Sequence, residues 1–499
     1  MGTRLSCLGL TVAACAMLAA CGASAPADVS TPTASGSAIP ASSPTATTPL
    51  LDWPEFGLDA QRSDVSEAAS GIDAANLGHL RRVTVTVPGT VDSSPIYLHA
   101  VTVAGAKHNV VVATTTYGRT VAIDADSGRT LWTFTPAGFN GWAGSSQITT
   151  TSPIADPDRM FVYAASPDGL VHRLALADGR ESGGWPVSVT RDAHREKLAA
   201  ALNIAGGAVI ATTGGYFGDA PPYQGHVVLI SRSSGRRLRV FNTLCANRRE
   251  LLVPSNCAAS DSAILSRGGP VVEPGGRRLL ISTGNGPWNG STNFGDSVLE
   301  LTLPDLRLRQ AFTPTNQAQL NSSDTDLGSS APTLLGGDRV LIAGKDGVMR
   351  VLALSQLDGR RPPATRALGG ELERLSIPGG GQLFTAPAVW RHGSGTTVFI
   401  GDENGTGAYV LRAGRLYRVW ENGTPGTSPV LAGGLLYVYE PAGGGIEVYR
   451  PSSPRPIAKL PGSSGHWNSP IVLDGHIVEP EGNGNDHRQS GTIDIFSSR

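Results

Sequence analysis

The sequence predicts an all-β fold, an eight-bladed β-propeller. A short motif recurs along the chain, an apolar strand–turn–strand hairpin follows each copy, and no helical period runs through the body. A repeat of this kind indicates copies packed against one another, because one small sheet cannot bury its own faces. The motif is a small residue, a proline and an apolar run, and it occurs seven times, at Ser94-Pro95-Ile96, Ser152-Pro153-Ile154, Gly269-Pro270-Val271, Ala331-Pro332-Thr333, Ala386-Pro387-Ala388, Ser428-Pro429-Val430 and Ser469-Pro470-Ile471.

An eighth, degenerate copy is expected at residues 202–210 with a hairpin partner at 225–230, because the spacing from Pro153 to Pro270 is about double the usual one. The 63 glycines and 35 prolines fit short strands joined by tight turns. Eight small antiparallel sheets suit a propeller, and closing the ring removes free sheet edges. Residues 191–202 are the one stretch that favours a short helix.

The first 50 residues are predicted to lie outside the propeller. Residues 1–21 have a positive start at Arg4 and an apolar stretch, which is typical of a secretory signal peptide. Its end, Leu18-Ala19-Ala20-Cys21, resembles a bacterial lipobox and predicts lipidation of Cys21. The alternative is ordinary signal cleavage that leaves Cys21 as a spare thiol. Residues 22–50, rich in Ala, Ser, Thr and Pro, are expected to form a flexible tether to the propeller domain at 51–499.

Composition and charge argue against several classes of function. The formal net charge is −1, so nothing electrostatic favours nucleic acid as a partner. The ten histidines form no metal-binding pattern, and no nucleophile elbow or phosphate loop is present. Cys245 and Cys257 form an even pair in an exported chain, which predicts a disulfide. A metal site is the rival interpretation, but no further ligand lies at a suitable spacing.

Several motifs resemble the pyrroloquinoline-quinone (PQQ) propeller superfamily. Residues 120–134, TVAIDADSGRTLWTF, look like its repeat signature, in which the Trp docks between blades. Residues 52–57 are similar to the opening of quinoprotein alcohol dehydrogenases, and residues 282–289 to their fourth-blade motif. The resemblance implies eight blades in a ring closed by an N-terminal strand. Here residues 80–87 would join the strands at 470–479 and 491–496.

The same resemblance implies a set of site residues. Asn285 stands where the family has a calcium ligand. Asp326 stands where it has the catalytic base, and it is also a candidate metal ligand beside Asn285. Lys345 stands near the basic residue that contacts the quinone. Asp and Asn beside Gly are also ordinary turn residues, so a purely structural interpretation stays open.

Departures from the family pattern are equally specific. The stretch 212–218 has no acid where the family has a calcium-binding Glu, and the nearest acid is Asp219. Arg267 replaces the Trp that forms the floor under the quinone, and no two cysteines are adjacent. Because Ca²⁺ affinity follows the charge of its oxygen ligands, the missing Glu argues against a metal site. Arg267 instead favours an anionic ligand or a salt bridge, with Asp326 as the expected partner.

Two functions from different classes remain. The first is a non-catalytic, lipid-anchored monomeric ring without a cofactor, which resembles the BamB-type outer-membrane assembly lipoproteins. It would bind an envelope protein through blade loops, with residues 245–264 and 282–297 as the best candidates. Its location would be the periplasmic side of the outer membrane in a Gram-negative host, or the outer face of the cell membrane in a Gram-positive one. The second is a PQQ- and calcium-dependent alcohol or sugar dehydrogenase with altered ligands.

Overall fold

Within residues 51–498, thirty-three strands form eight separate sheets. The computed structural model describes residues 51–498, so the signal peptide, Cys21 and the tether at 22–50 lie outside the described residues. Each sheet is one blade, and neighbouring strands within it pair antiparallel except for Val65–Ser66, which joins its sheet in parallel. The predicted all-β, eight-bladed propeller is confirmed.

The first four blades follow one another in sequence. Blade 1 contains the strands Ile96–Val103, Ala106–Thr114, Thr120–Asp124 and Thr130–Phe134. Blade 2 contains Ile154–Ala155, Phe161–Ser166, Leu170–Ala175 and Val187–Ser188. Blade 3, the degenerate copy, contains Asn203–Ala205, Ala208–Thr212, His226–Ser231 and Arg237–Asn242. Blade 4 contains Val271–Val272, Arg278–Ser282, Val298–Thr302 and Leu308–Phe312, as the repeat predicts.

The last four blades include both N-terminal strands. Blade 5 contains Thr333–Gly336, Arg339–Ile342, Val348–Ala353 and Glu373–Ser376, and blade 6 contains Ala388–His392, Gly395–Gly401, Thr406–Arg412 and Arg415–Asn422. Blade 7 contains Val430–Ala432, Leu435–Tyr439, Ile446–Tyr449, Pro456–Leu460 and, in parallel, Val65–Ser66. Blade 8 contains Ile471–Leu473, His476–Pro480, Gly491–Ser497 and Arg81–Val87.

Blade 8 closes the ring as predicted. The strand Arg81–Val87 pairs antiparallel with Gly491–Ser497 over its whole length, from Arg81 opposite Ser497 to Val87 opposite Gly491. It pairs directly with this strand alone, and residues 470–479 lie further inward in the same sheet. Apolar clusters fill the space between consecutive blades, and one cluster joins blades 7, 8 and 1. The hydrophobic core is therefore a continuous belt around the axis.

The tryptophans of the repeat link neighbouring blades. The indole N–H of Trp132, in the outermost strand of blade 1, donates to the Leu176 carbonyl of blade 2 at 2.9 Å. Trp420 of blade 6 donates to Pro451, next to blade 7, at 2.8 Å. Both rings are buried. These contacts confirm the structural role expected of the repeat Trp.

Helical structure is sparse in residues 51–498. The one α-helix is Gln317–Ser322, and the short 3-10 segments are Leu77–His79, Phe139–Gly141, Pro254–Asn256, Leu327–Ser329 and Gly484–Asp486. The helix expected at residues 191–202 is wrong, because Lys197 forms a two-way backbone bridge with Gly214, with N···O distances of 2.7 and 2.8 Å. None of the described helices is long and apolar enough to cross a membrane.

The N-terminal residues 53–66, here called the crossing segment, run across the ring. The Pro54 carbonyl accepts from the Ala155 N–H of blade 2, and the Ser63 carbonyl accepts from the Val389 N–H of blade 6, each at 2.8 Å. Blades 2 and 6 lie on opposite sides of an eight-membered ring. The segment therefore passes through the axis, and the sequence offered no sign of this path.

Arg62 anchors the middle of the crossing segment. Its guanidinium donates to the carbonyls of Gly268, Phe56 and Leu202 at 2.7–2.9 Å and pairs with Glu55 at 2.7 Å. The side chain is buried. All three guanidinium nitrogens thus donate to an acceptor, which offsets the loss of hydration of a buried cation.

Candidate functional site

An axial cavity of about 600 Å³ contains the residues singled out from the sequence. Its walls come from loops at one end of the ring, because successive blades present their inner-strand loops to a common axis. The lining residues that carry chemistry are Lys197, Tyr216, Asp219, Tyr223, Arg267, Asn285, Asp324, Asp326, Lys345, Phe384, His466 and Trp467. The lining comes from loops within blades 3, 4, 5 and 8 and from connections between blades, including those that contain Lys197, Arg267, Phe384 and Trp467.

The structure brings Asn285, Asp326 and Lys345 together. The backbone N–H of Asn285 donates to Asp326 Oδ1 at 2.7 Å, and Lys345 Nζ lies 2.5 Å from Asp326 Oδ2. Lys345 also lies 3.6 Å from the Asp324 carboxylate. The convergence expected from the resemblance is present, whereas the metal-binding, catalytic and quinone-contacting roles stay predictions.

Asp326 and Lys345 form an ion pair in the cavity. Burial raises the pKa of Asp326, and the Lys345 ammonium opposes that rise. Burial alone lowers the pKa of Lys345, but the Asp326, Asp324 and Asp219 carboxylates together outweigh it and the pKa is raised. Each side chain thus favours the charged form of the other.

Arg267 does not pair with Asp326, so that expectation is wrong. Its guanidinium lies 3.0 Å from Asp92 Oδ1, and it also donates to the Asp92 carbonyl. Asp92 follows the closing strand and reaches the axis only once the ring is closed. Lys345 already occupies the second oxygen of Asp326, which leaves Arg267 to the other carboxylate.

Both carboxylate oxygens of Asp92 have hydrogen-bond donors. Its Oδ2 lies 2.8 Å from His466 Nδ1 and accepts from the Gly484 N–H at 3.0 Å. Burial by itself would raise the pKa of Asp92, but Arg267 and His466 outweigh it and hold the pKa well below its usual range. The sequence did not single out Asp92, because its partner Arg267 lies 175 positions away.

An aromatic stack stands beside Arg267. The ring of Trp467 stacks on Phe384 with a centroid distance of 4.1 Å and on His466 at 3.8 Å. The guanidinium carbon of Arg267 lies 5.1 Å from the Trp467 centroid. The aromatic wall therefore stands beside Arg267, the residue that the sequence resemblance sets in place of the floor Trp.

The carboxylates of the cavity are dispersed. Asp219, the nearest acid to the missing family Glu, accepts from the Tyr223 hydroxyl at 2.7 Å. Within residues 51–498, no group of three or more His, Cys, Asp or Glu side chains is arranged to hold a metal ion. The residues present therefore do not match the 6–8 oxygen ligands that Ca²⁺ takes.

The predicted disulfide is confirmed. Cys245 and Cys257 are bonded in the loop between blades 3 and 4. This loop contacts the 282–297 loop of blade 4 through Ala246 N–H to the Thr292 carbonyl at 2.9 Å and Cys245 N–H to Asn293 Oδ1 at 3.1 Å. The two loops form one continuous surface, and both extend to the cavity through Ala263 and Asn285.

The fold is an eight-bladed β-propeller with a cavity on its axis. Residues 75–286 match a family model described as outer membrane protein assembly factor BamB. This match covers less than half of the chain. No curated protein sequence matches the chain significantly.

Solved structures share the fold at low sequence identity. Quinohemoprotein alcohol dehydrogenase from Comamonas testosteroni is 14% identical, with a TM-score of 0.64 over 90% of this chain and 80% of that one. A europium-containing methanol dehydrogenase is 14% identical, with a TM-score of 0.62 over 90% and 98%. BamB from Moraxella catarrhalis is 12% identical, with a TM-score of 0.51 over 84% and 99%.

Proposed function

We propose that this chain is a non-catalytic, exported and lipid-anchored propeller that binds a protein partner in the bacterial envelope. The observation that carries the proposal is the pairing in the axial cavity. Asp326 is neutralised by Lys345, and Arg267, paired with Asp92, replaces an aromatic floor. The family model that matches residues 75–286 names an envelope assembly factor, which supports a binding role.

The residues present do not suit a calcium-bound quinone. Lys197, Arg267 and Lys345 place three basic side chains around the cavity, where a metal site needs anionic oxygens. The test is dye-linked oxidation of alcohols and sugars with added PQQ and Ca²⁺, and we expect no turnover and no quinone absorbance on the purified protein.

The alternative is a quinone dehydrogenase with altered ligands. It is favoured by one observation, the convergence of Asn285, Asp326 and Lys345 at the axis. Turnover that requires PQQ and Ca²⁺ and disappears in Asp326→Ala would replace our proposal with this one. A Lys107→Gln variant, which changes an exposed lysine on blade 1, serves as the matched control.

The partner surface we propose is the pair of loops at 245–264 and 282–297. Val253 lies within the disulfide-bonded loop and is 39% exposed, and Leu238, on the outer strand of blade 3, is equally exposed at 39%. A photo-crosslinking residue at position 253 should capture one envelope protein in cells, and the same residue at position 238 should not. Equal crosslinking at both positions would argue against these loops.

Anchoring through Cys21 is tested separately. Cys21→Ala should move the protein from the membrane fraction to the soluble exported fraction, because one lipid-modified residue is the only anchor we infer. Unchanged membrane retention would contradict lipidation at Cys21.

A further inference from the structure

Lys197 is a basic side chain in the axial cavity whose charge is unmatched. The backbone bridge to Gly214 holds it at the wall, and its side chain lines the cavity. Within the part of the chain that the structure describes, its ammonium forms no ion pair. Keeping an ammonium charged in a partly buried position costs free energy unless an anion pairs with it.

The charged groups nearest to Lys197 do not meet that need. Arg267 carries a like charge, and both carboxylate oxygens of Asp92 are already engaged, by Arg267 on one side and by His466 and Gly484 on the other. Burial and Arg267 lower the pKa of Lys197 to about 7, and Asp92 offsets this only in part. One positive charge on this side of the cavity therefore lacks a counter-ion whenever Lys197 is protonated.

The acidic side chains of the cavity lie around Lys345 rather than around Lys197. Asp326, Asp324 and Asp219 act on Lys345, and Tyr223 donates to Asp219. This set has carboxylate oxygens to spare for a hydrogen-bond donor. Phe384 and Trp467 supply an apolar wall beside Arg267. The cavity thus has a basic side that can bind an anion, an acidic side that can accept hydrogen bonds, and an aromatic wall.

We infer that the axial cavity binds a small aromatic carboxylate without a metal, with its carboxylate held by Lys197 and Arg267. A single unmatched cation suits a monoanion, and the apolar wall suits an aromatic body. A cavity of about 600 Å³ is in the range that encloses such a molecule. A hydroxyl at the far end of the ligand would donate to the Asp219 and Asp326 side. The inference rests on the proposal that no calcium-bound quinone occupies this cavity.

The test uses 6-hydroxy-2-naphthoate as the probe, titrated calorimetrically at pH 8 with EDTA present. We expect saturable binding by the wild type and none by the uncharged analogue 2-naphthol. Because a bound carboxylate favours the charged form of Lys197, binding at pH 8 should take up a proton, seen as a dependence of the heat on buffer ionisation enthalpy. Arg267, Asp92 and His466 are the titratable or charged groups that face this position.

Three variants separate charge from structure. Lys197→Gln should weaken probe binding about tenfold or more and abolish the proton uptake. Lys197→Arg should keep the affinity within a few-fold but lose the proton uptake, since arginine stays charged. Lys107→Gln, an exposed blade 1 control, should change neither. Thermal unfolding of each variant shows whether the ring is intact.

The inference is overturned if the wild type does not bind the probe, if 2-naphthol binds equally well, or if folded Lys197→Gln retains full affinity. These outcomes differ from failure of the proposed function. That failure would show as turnover that requires PQQ and Ca²⁺ and is lost with EDTA.

Discussion

The ring nitrogen Nε2 of His226 lies 3.0 Å from Oε1 of Glu196, and neither side chain has any exposed surface. His226 Nδ1 faces the Asn242 side-chain carbonyl at 2.7 Å, and Asn242 is held in that orientation because its amide donates to the carbonyls of Arg248 and Glu250. The pair joins the blade 2–3 connection to blade 3. It is one reason that residues 191–202 form an extended connection rather than a helix.

Glu196→Ala should therefore lower the free energy of unfolding by about 3–5 kcal/mol, since it leaves a buried ring nitrogen unpaired. The matched control is Glu181→Ala, because Glu181 pairs with His172 at 2.6 Å but is itself 27% exposed. Water can replace part of that contact, so about 1 kcal/mol is expected there. Urea unfolding of both variants checks the difference, and equal losses would contradict it.

Arg62→Met should destabilise the protein by about 3 kcal/mol or more, because three backbone carbonyls and Glu55 lose their shared donor. Burial raises the pKa of Glu55 to about 7 even with Arg62 beside it. Adding Glu55→Gln to Arg62→Met should recover part of the loss, since no buried carboxyl is then left without its cation. If the double variant is no more stable than the single one at pH 7.5, the ion pair is not the source of the effect.

Glu479 predicts a pH dependence. Both of its carboxylate oxygens are buried without a hydrogen-bond partner, and burial, with Glu481 and Asp494 nearby, raises its pKa well above the usual value. The folded state then holds a proton that the unfolded state releases above about pH 4.5. The contribution of Glu479 to the free energy of unfolding therefore falls as the pH rises from about 4.5 toward the raised pKa. Glu479→Gln should be more stable than the wild type at pH 8, by about 1 kcal/mol or more, with little difference at pH 4.5. A constant difference across this range would contradict the prediction.

The Cys245–Cys257 bond closes a loop next to the proposed partner surface. Thiol titration of denatured, unreduced protein should find neither cysteine reactive. Replacing both by serine should lower stability by about 2–4 kcal/mol, because the unfolded loop regains conformational freedom. Two reactive thiols at these positions in the wild type would refute the bond.

The blades were predictable because the sequence motif that marks each one is short and recurs along the chain. Each Ser-Pro or Ala-Pro step marks the inner strand, and the glycine-rich turns mark the hairpins. Even the motif-poor blade 3 was found, from the doubled spacing between Pro153 and Pro270. The failed helix shows the limit, since the backbone bridge between Lys197 and Gly214 decided that segment and no local pattern records it.

The site was predictable only where the resemblance supplied residues. Asn285, Asp326 and Lys345 lie close together as expected. Arg267 was singled out, but its partner Asp92 was missed because a cross-ring contact depends on closure. Lys197 was missed as well, although a lone lysine at the start of the apolar stretch 197–202 was a usable signal.

The N-terminal strands also impose an order of events on folding. Val65–Ser66 pairs with Leu431 and Ala432 of blade 7, and Arg81–Val87 pairs with Gly491–Ser497, so blade 8 is complete only after residue 497 is available. Contacts this distant in sequence form slowly. Until then the strand at 81–87 is an open edge that can pair with other chains. Maturation of this protein should therefore be one late, all-or-none step, and a chain truncated before its final strand should aggregate rather than form a smaller ring.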